Sequence, residues 1–151
     1  MKRRVTDRPP VEGPVAGIGI RISERPDLLI LALQANLDAY TVPAFWHSVE
    51  PKLTEGRAVV VDLTHVDLLD SSGLGALVSL RNRLAHEGRP VGVAYGRCRR
   101  IFEITGLSAA FVCARSVDDV LRELARLDDT DGRAHGFWVG RASARGALLA
   151  P

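Results

Sequence analysis

Ala58-Val59-Val60-Val61-Asp62-Leu63, followed after Thr64-His65 by Val66-Asp67-Leu68-Leu69-Asp70-Ser71-Ser72-Gly73-Leu74-Gly75, is the stretch that decides the architecture. Its first part is β-branched and continuously apolar, the pattern of a central strand buried on both faces of a parallel sheet. Its second part leads into a helix from Ser72 to His86. There Leu74, Leu77, Val78 and Leu84 form one apolar face, Arg81, Arg83 and Glu87 lie at its margins, and Gly88 is the stop. The junction sets Ser71 and Ser72 beside the carboxylate of Asp70, at the positive end of that helix. Backbone N–H groups and the helix dipole favour an anion at such a place, so a serine here is suited to carrying a phosphate.

Working outward, Ile18, Ile20 and Ile22 alternate as in a half-buried strand, Pro26-Asp27 marks a turn, and Leu28 to Leu33 reads as a second strand. Val42, Phe45, Trp46, Val49 and Leu53 fall at helical spacing after Tyr40 or Thr41, with Pro43 in the first turn and Pro51 ending or kinking the helix. Beyond the central unit, Pro90 to Tyr95 is a strand, Arg99 to Thr105 a short helix stopped by Gly106, and Ala110 to Ala114 a strand. Ser116-Val117-Asp118-Asp119 opens a last helix whose stripe is Val117, Val120, Leu121, Leu124 and Leu127. The order β-β-α-β-α-β-α-β-α predicts a single α/β domain, a mainly parallel mixed sheet of about five strands with four helices.

A chain of 151 residues is one domain by length and buries a core without staples. A net charge of +2 is too small to point to nucleic acid. Cys98 and Cys113 form no CxxC pair and read as core thiols in a reducing compartment. Lys2, Arg3 and Arg4 are followed by no signal-peptide core, and no apolar run approaches the ~20 residues of a membrane span. A cytoplasmic protein with no membrane contact is expected. Residues 1–14 are expected to be a flexible leader, 15–127 the domain, and 128–151 a flexible C-terminal tail. Whether Phe137 and Trp138 in that tail dock on the domain or on a partner stays open.

As for chemistry, Ser71 lies in no G-x-S-x-G elbow, and His47, His65, His86 and His135 are scattered without HExxH or other ligand spacing. The expectation is therefore no catalysis, no metal and no cofactor. Asp70-Ser71-Ser72-Gly73 is read either as a helix cap or as a regulated phosphoacceptor. Gly73 and Gly75 each cost a helix about 1 kcal/mol relative to Ala, so a close approach of backbone or phosphate is expected at both. A sheet wound as proposed brings Asp38 and Ser71 to one edge. On residue physics Asp38 serves a helix-entry turn or recognition equally well. Arg97, Arg99 and Arg100 are a solvated face or an anion contact, placed where a helix N-terminus disfavours positive charge.

Three markers in order resemble the STAS domains, and more narrowly the bacterial anti-sigma factor antagonists. They are the Ala58–Gly75 stretch, Leu37-Asp38-Ala39-Tyr40-Thr41 upstream, and Phe102-Glu103-Ile104-Thr105-Gly106-Leu107 downstream. Asn36 departs from the family, where glycine is common before Leu-Asp. The resemblance implies a phosphorylation-switched binding protein. Ser71 is its implied phosphoacceptor, and Asp38, Tyr40, Thr41, Asp70, Ser72 and Gly73 are its implied partner-binding positions. The implied partners are an anti-sigma factor that is also a serine kinase, a sigma factor thereby freed for transcription, and a metal-dependent serine phosphatase acting on the phosphorylated form. Alternatives within the fold are a stressosome-like scaffold, a lipid-transport accessory subunit, or a domain that binds a nucleotide at the helix N-terminus. No direct contact with nucleic acid is implied.

Overall fold

The computed structural model describes residues 19–53 and 56–131. Among them are five strands and four α-helices, in the order expected: β1 (Ile20–Arg25), β2 (Leu28–Leu33), α1 (Val42–Val49), β3 (Ala58–Asp62), α2 (Ser71–Ala85), β4 (Val91–Ala94), α3 (Arg99–Ile104), β5 (Val112–Ala114) and α4 (Val117–Asp131). Pro51 ends the first helix as its missing N–H requires, and the chain passes into a 3-10 turn, Glu50–Lys52. Helix α4 runs past Leu127 to Asp131. The expected leader, Ile18, Phe137 and Trp138 lie outside the described residues.

The sheet has the sequential order β1-β2-β3-β4-β5. β1 and β2 form an antiparallel hairpin in which Ile20 faces Leu33 and Arg25 faces Leu28. Every later pairing is parallel, with Leu31 beside Val61 and Val61 beside Val93. Sequential parallel strands joined by crossovers of one hand put their helices on one face of the sheet. Accordingly, Phe45 and Val49 of α1, Leu77 and Leu80 of α2 and Phe102 of α3 share one core with Leu29, Leu31, Val59, Val61 and Val93. The opposite face is covered by α4, whose Val120 and Leu124 pack on Leu28, Ile30, Val60 and Val112. Gly92 makes that approach possible, since a Cβ on it would lie 2.5 Å from Val120 Cγ1.

Arg81, expected at a helix margin, is buried. Its Nε donates to the Ala110 carbonyl, tying α2 to the turn before β5, and desolvation lowers its pKa. The helical period itself places position 81 on the buried face, four residues after Leu77 and three before Leu84; it is the charge of arginine that argues for the margin, and a long side chain can bury its stem where its head finds a carbonyl. Among the described residues no helix is long and apolar enough to cross a membrane.

Candidate functional site

Three loops leave the carboxyl ends of β2, β3 and β4 and meet at one edge of the sheet. The central one delivers helix α2. Asp70 is its N-cap, with extended backbone (φ −96°, ψ −173°) and Oδ1 accepting the Gly73 N–H at 2.9 Å. The main-chain oxygen of Asp70 accepts the Leu74 N–H at 2.9 Å. Capping therefore falls to Asp70, and Ser71 and Ser72 stand as the first two residues of the helix, both exposed. Leu74 turns into the core as expected.

The two glycines differ. A Cβ on Gly73 would lie 2.3 Å from the Leu37 carbonyl oxygen and 2.8 Å from Leu69 Cδ1, so the first turn of α2 is seated against the loop that carries Asp38. A Cβ on Gly75 would meet nothing within 4 Å. The close approach expected at both positions exists within the fold at Gly73 alone.

The Asp38 loop is joined to the Ser71 loop by a parallel bridge between Leu37 and Leu69. Asn36 strengthens the junction: its Oδ1 accepts the N–H groups of Asp67 at 3.2 Å and Leu68 at 2.9 Å. Asp38 Oδ1 accepts the N–H groups of Tyr40 at 2.9 Å and Thr41 at 3.1 Å, a turn that sets up the entry to α1. The Thr41 hydroxyl accepts the Asp38 N–H at 2.9 Å and donates to the Asn36 carbonyl at 3.0 Å. The third loop braces the central one from its other side. Arg97 pairs with Asp67 at 3.0 Å, and Cys98 Sγ donates to the Val66 carbonyl at 3.6 Å. Burial, then the nearby Asp67, pushes the Cys98 thiol up, which keeps it protonated and inert. Arg99 pairs with Glu103 one turn on, so the arginine cluster is an exposed surface whose charge is offset locally.

Asp38, Tyr40 and Thr41 thus sit on one loop, Asp70, Ser71, Ser72 and Gly73 on the next, and the backbone contacts above hold the two together. Two residues escaped the sequence reading. Asn36 was noted as a departure from the family without a role, because nothing in a loop sequence reports a hydrogen bond to residues some thirty positions away. Leu68 was counted with the apolar flank, yet it is 58% exposed while its neighbour Leu69 is buried. With Tyr40, 89% exposed, it is one of two large hydrophobic side chains displayed on these loops. Among the described residues the strand order never reverses, so the sheet has no switch point of the kind at which doubly wound sheets bind small ligands. A cavity of about 300 Å³ lies elsewhere, between α3, β5 and α4, edged by Glu103, Cys113 and Glu123.

A family model described as the STAS domain matches residues 19–120. The anti-sigma-B factor antagonist of Listeria monocytogenes is 38% identical over 96 residues, which span 60% of this chain and 83% of that relative. The protein of the same name from Staphylococcus aureus is 39% identical over 75 residues, 47% of this chain and 68% of the relative. The crystal structure of an anti-sigma factor antagonist from Mycobacterium paratuberculosis superposes with a TM-score of 0.62 at 25% identity, covering 74% of this chain and 97% of that one.

Proposed function

This chain belongs to the STAS domain family, and from that premise we propose that it is an anti-sigma factor antagonist, a cytoplasmic binding protein switched by phosphorylation of Ser71. Unmodified, it sequesters an anti-sigma factor and so frees the sigma factor for transcription. That anti-sigma factor is also the kinase: the γ-phosphoryl group of ATP passes to Ser71 Oγ, ADP leaves, and the hydroxyl proton goes to a base of the kinase. A serine phosphatase reverses the modification. The chain itself is substrate and binder rather than catalyst.

The observation that carries this reading is the exposed pair Ser71-Ser72 at the first turn of a helix already capped by Asp70. A kinase can reach the Ser71 hydroxyl without displacing a structural bond. The dianion then lies next to the first-turn amides, where the fold tolerates it. It also lies next to the Asp70 carboxylate and across from the Asp38 loop, so it raises negative charge where the partner docks. A phosphate brings about −1.5 to −2 charges at neutral pH. Like charges brought together in an interface cost several kcal/mol, and each ~1.4 kcal/mol is tenfold in affinity.

The test is to incubate the chain with ATP and the candidate anti-sigma kinases of the same genome, then map the phosphate by mass spectrometry. Phosphate on Ser71, with loss of the complex, supports the reading. Phosphate on Ser72 with Ser71 unmodified overturns the site assignment, and turnover of simple esters by the chain would overturn its role as a binder.

A further inference from the structure

An exposed leucine is ordinary by itself. Leu68 is distinguished by how it is held. The segment bearing it is clamped on one side by Asn36 Oδ1, which takes the amides of both Asp67 and Leu68. On the other side it is tethered through Arg97 to Asp67 and through Cys98 to the Val66 carbonyl. Two residues later Asp70 caps the helix that starts with Ser71. The backbone under Leu68 is therefore fixed, and its side chain is presented to solvent with no role in the core. Nothing in the fold calls for an apolar side chain there. Asn36 also carries, through its own carbonyl, the Thr41 hydroxyl that orders the turn displaying Tyr40.

We propose that Leu68 is an apolar anchor of the partner surface, and that Asn36 is the positioning residue that presents it beside Ser71. The proposal rests on the antagonist reading above and names the surface chemistry its partner must offer. Asp67 precedes Leu68 and is paired with Arg97, the Asp70 carboxylate, without an ion pair among the described residues, follows two residues on as the helix cap, and the clamped neighbouring loop adds Asp38. The occupant is the anti-sigma factor, docking through an apolar recess rimmed by lysine or arginine. A preset anchor adds affinity because its ordering entropy has been met in the free protein. The acidic rim sets orientation and on-rate, and it is the part that a phosphate on Ser71 would overload.

Two measurements test this. In the free chain, Asn36→Ala should speed amide exchange at Asp67 and Leu68 by about tenfold or more, since it removes the acceptor of both N–H groups. Asn36→Asp, which keeps the acceptor oxygen, should restore the slow exchange. Unchanged exchange in Asn36→Ala would overturn the clamp whatever the partner. Against the anti-sigma factor that binds the unmodified chain, Leu68→Ser should weaken affinity by about tenfold, the scale of a lost apolar anchor. The same variant should melt as the wild type does, and Leu68→Met should bind nearly as well as wild type. Wild-type affinity in Leu68→Ser would overturn the anchor while leaving the antagonist reading intact. Failure of the wild-type chain to bind any anti-sigma factor would instead remove the antagonist reading, and this proposal with it.

Discussion

Replacing Gly73 and Gly75 by alanine, one at a time, should move stability in opposite directions although the two sites are two residues apart on one helix. Alanine gains about 1 kcal/mol over glycine in a helix interior, and Gly75 is open to receive it, with nothing within 4 Å of the new methyl. Gly75→Ala should therefore stabilise by about 0.5–1 kcal/mol, a rise in Tm of roughly 1–4 °C for a chain of this size. At Gly73 the methyl would fall 2.3 Å from the Leu37 oxygen, a backbone atom that no rotamer change can remove. Either α2 or the Asp38 loop must lift, breaking into the contacts that Leu37 and Leu69 make with each other. Overpacking of that kind costs about 1–3 kcal/mol, and against a rigid carbonyl the upper half of the range applies. After the helix-propensity gain is subtracted, the net loss is about 1–2 kcal/mol, or a fall of roughly 2–8 °C in Tm. Urea and thermal melts of the two variants beside wild type decide the matter. A Gly73→Ala protein as stable as Gly75→Ala would show that the loop does not rest on the helix, and the joining of Asp38 to Ser71 would go with it.

Ser71→Ala should abolish phosphorylation and keep anti-sigma factor binding, while Ser71→Asp should weaken binding less than phosphate does because it adds one charge rather than nearly two; titration of each variant with the anti-sigma factor reads both. Phosphorylated and unmodified chains should give matching far-UV circular dichroism and retained hydrogen-exchange protection from Leu74 to Leu84, and lost protection there would replace surface repulsion with melting of α2. Glu24 should make stability fall in acid: Lys52 at 2.8 Å first, and the buried Arg57 as well, hold its carboxyl below the usual range. A depressed folded pKa contributes stability that is present above the unfolded value and lost as pH drops through the folded one, so wild type should lose more stability than Glu24→Gln between about pH 6 and pH 3 in urea titrations.

The fold was legible because its strongest signals are local. The unbroken β-branched run Val59-Val60-Val61 names a buried strand, and the helical spacing of Leu74, Leu77 and Leu84 and the stripe from Val117 to Leu127 name helices by period. Glycine and proline punctuation was equally readable: Gly88 and Gly106 adopt positive φ just past the ends of α2 and α3. At the candidate site the local geometry of Asp70, Ser71 and Ser72 at the start of α2 was legible, because it sits on one element. What stayed hidden is tertiary. Asn36 acts on amides of another loop, and the Arg81 guanidinium finds its acceptor in a distant segment. Neither partner leaves a period or a composition bias behind.

The arrangement also accounts for how one modification can alter binding and leave the fold intact. Burial in α2 begins with Gly73, against the Asp38 loop, and continues through Leu74, Leu77, Leu80 and Leu84, which share one core with the sheet. Ser71 and Ser72 precede that buried face and are exposed, so a charge added there removes no apolar contact. The acidic groups next to it in sequence and on the joined loop are Asp70 and Asp38, both half-buried. With all three crossover helices on one face, the proposed partner surface is the edge where these loops meet. On the proposed reading, affinity resides in the exposed groups of the three loops, while the contacts beneath them, Gly73 against Leu37 included, belong to the fold. A switch that acts on the exposed groups leaves those contacts untouched.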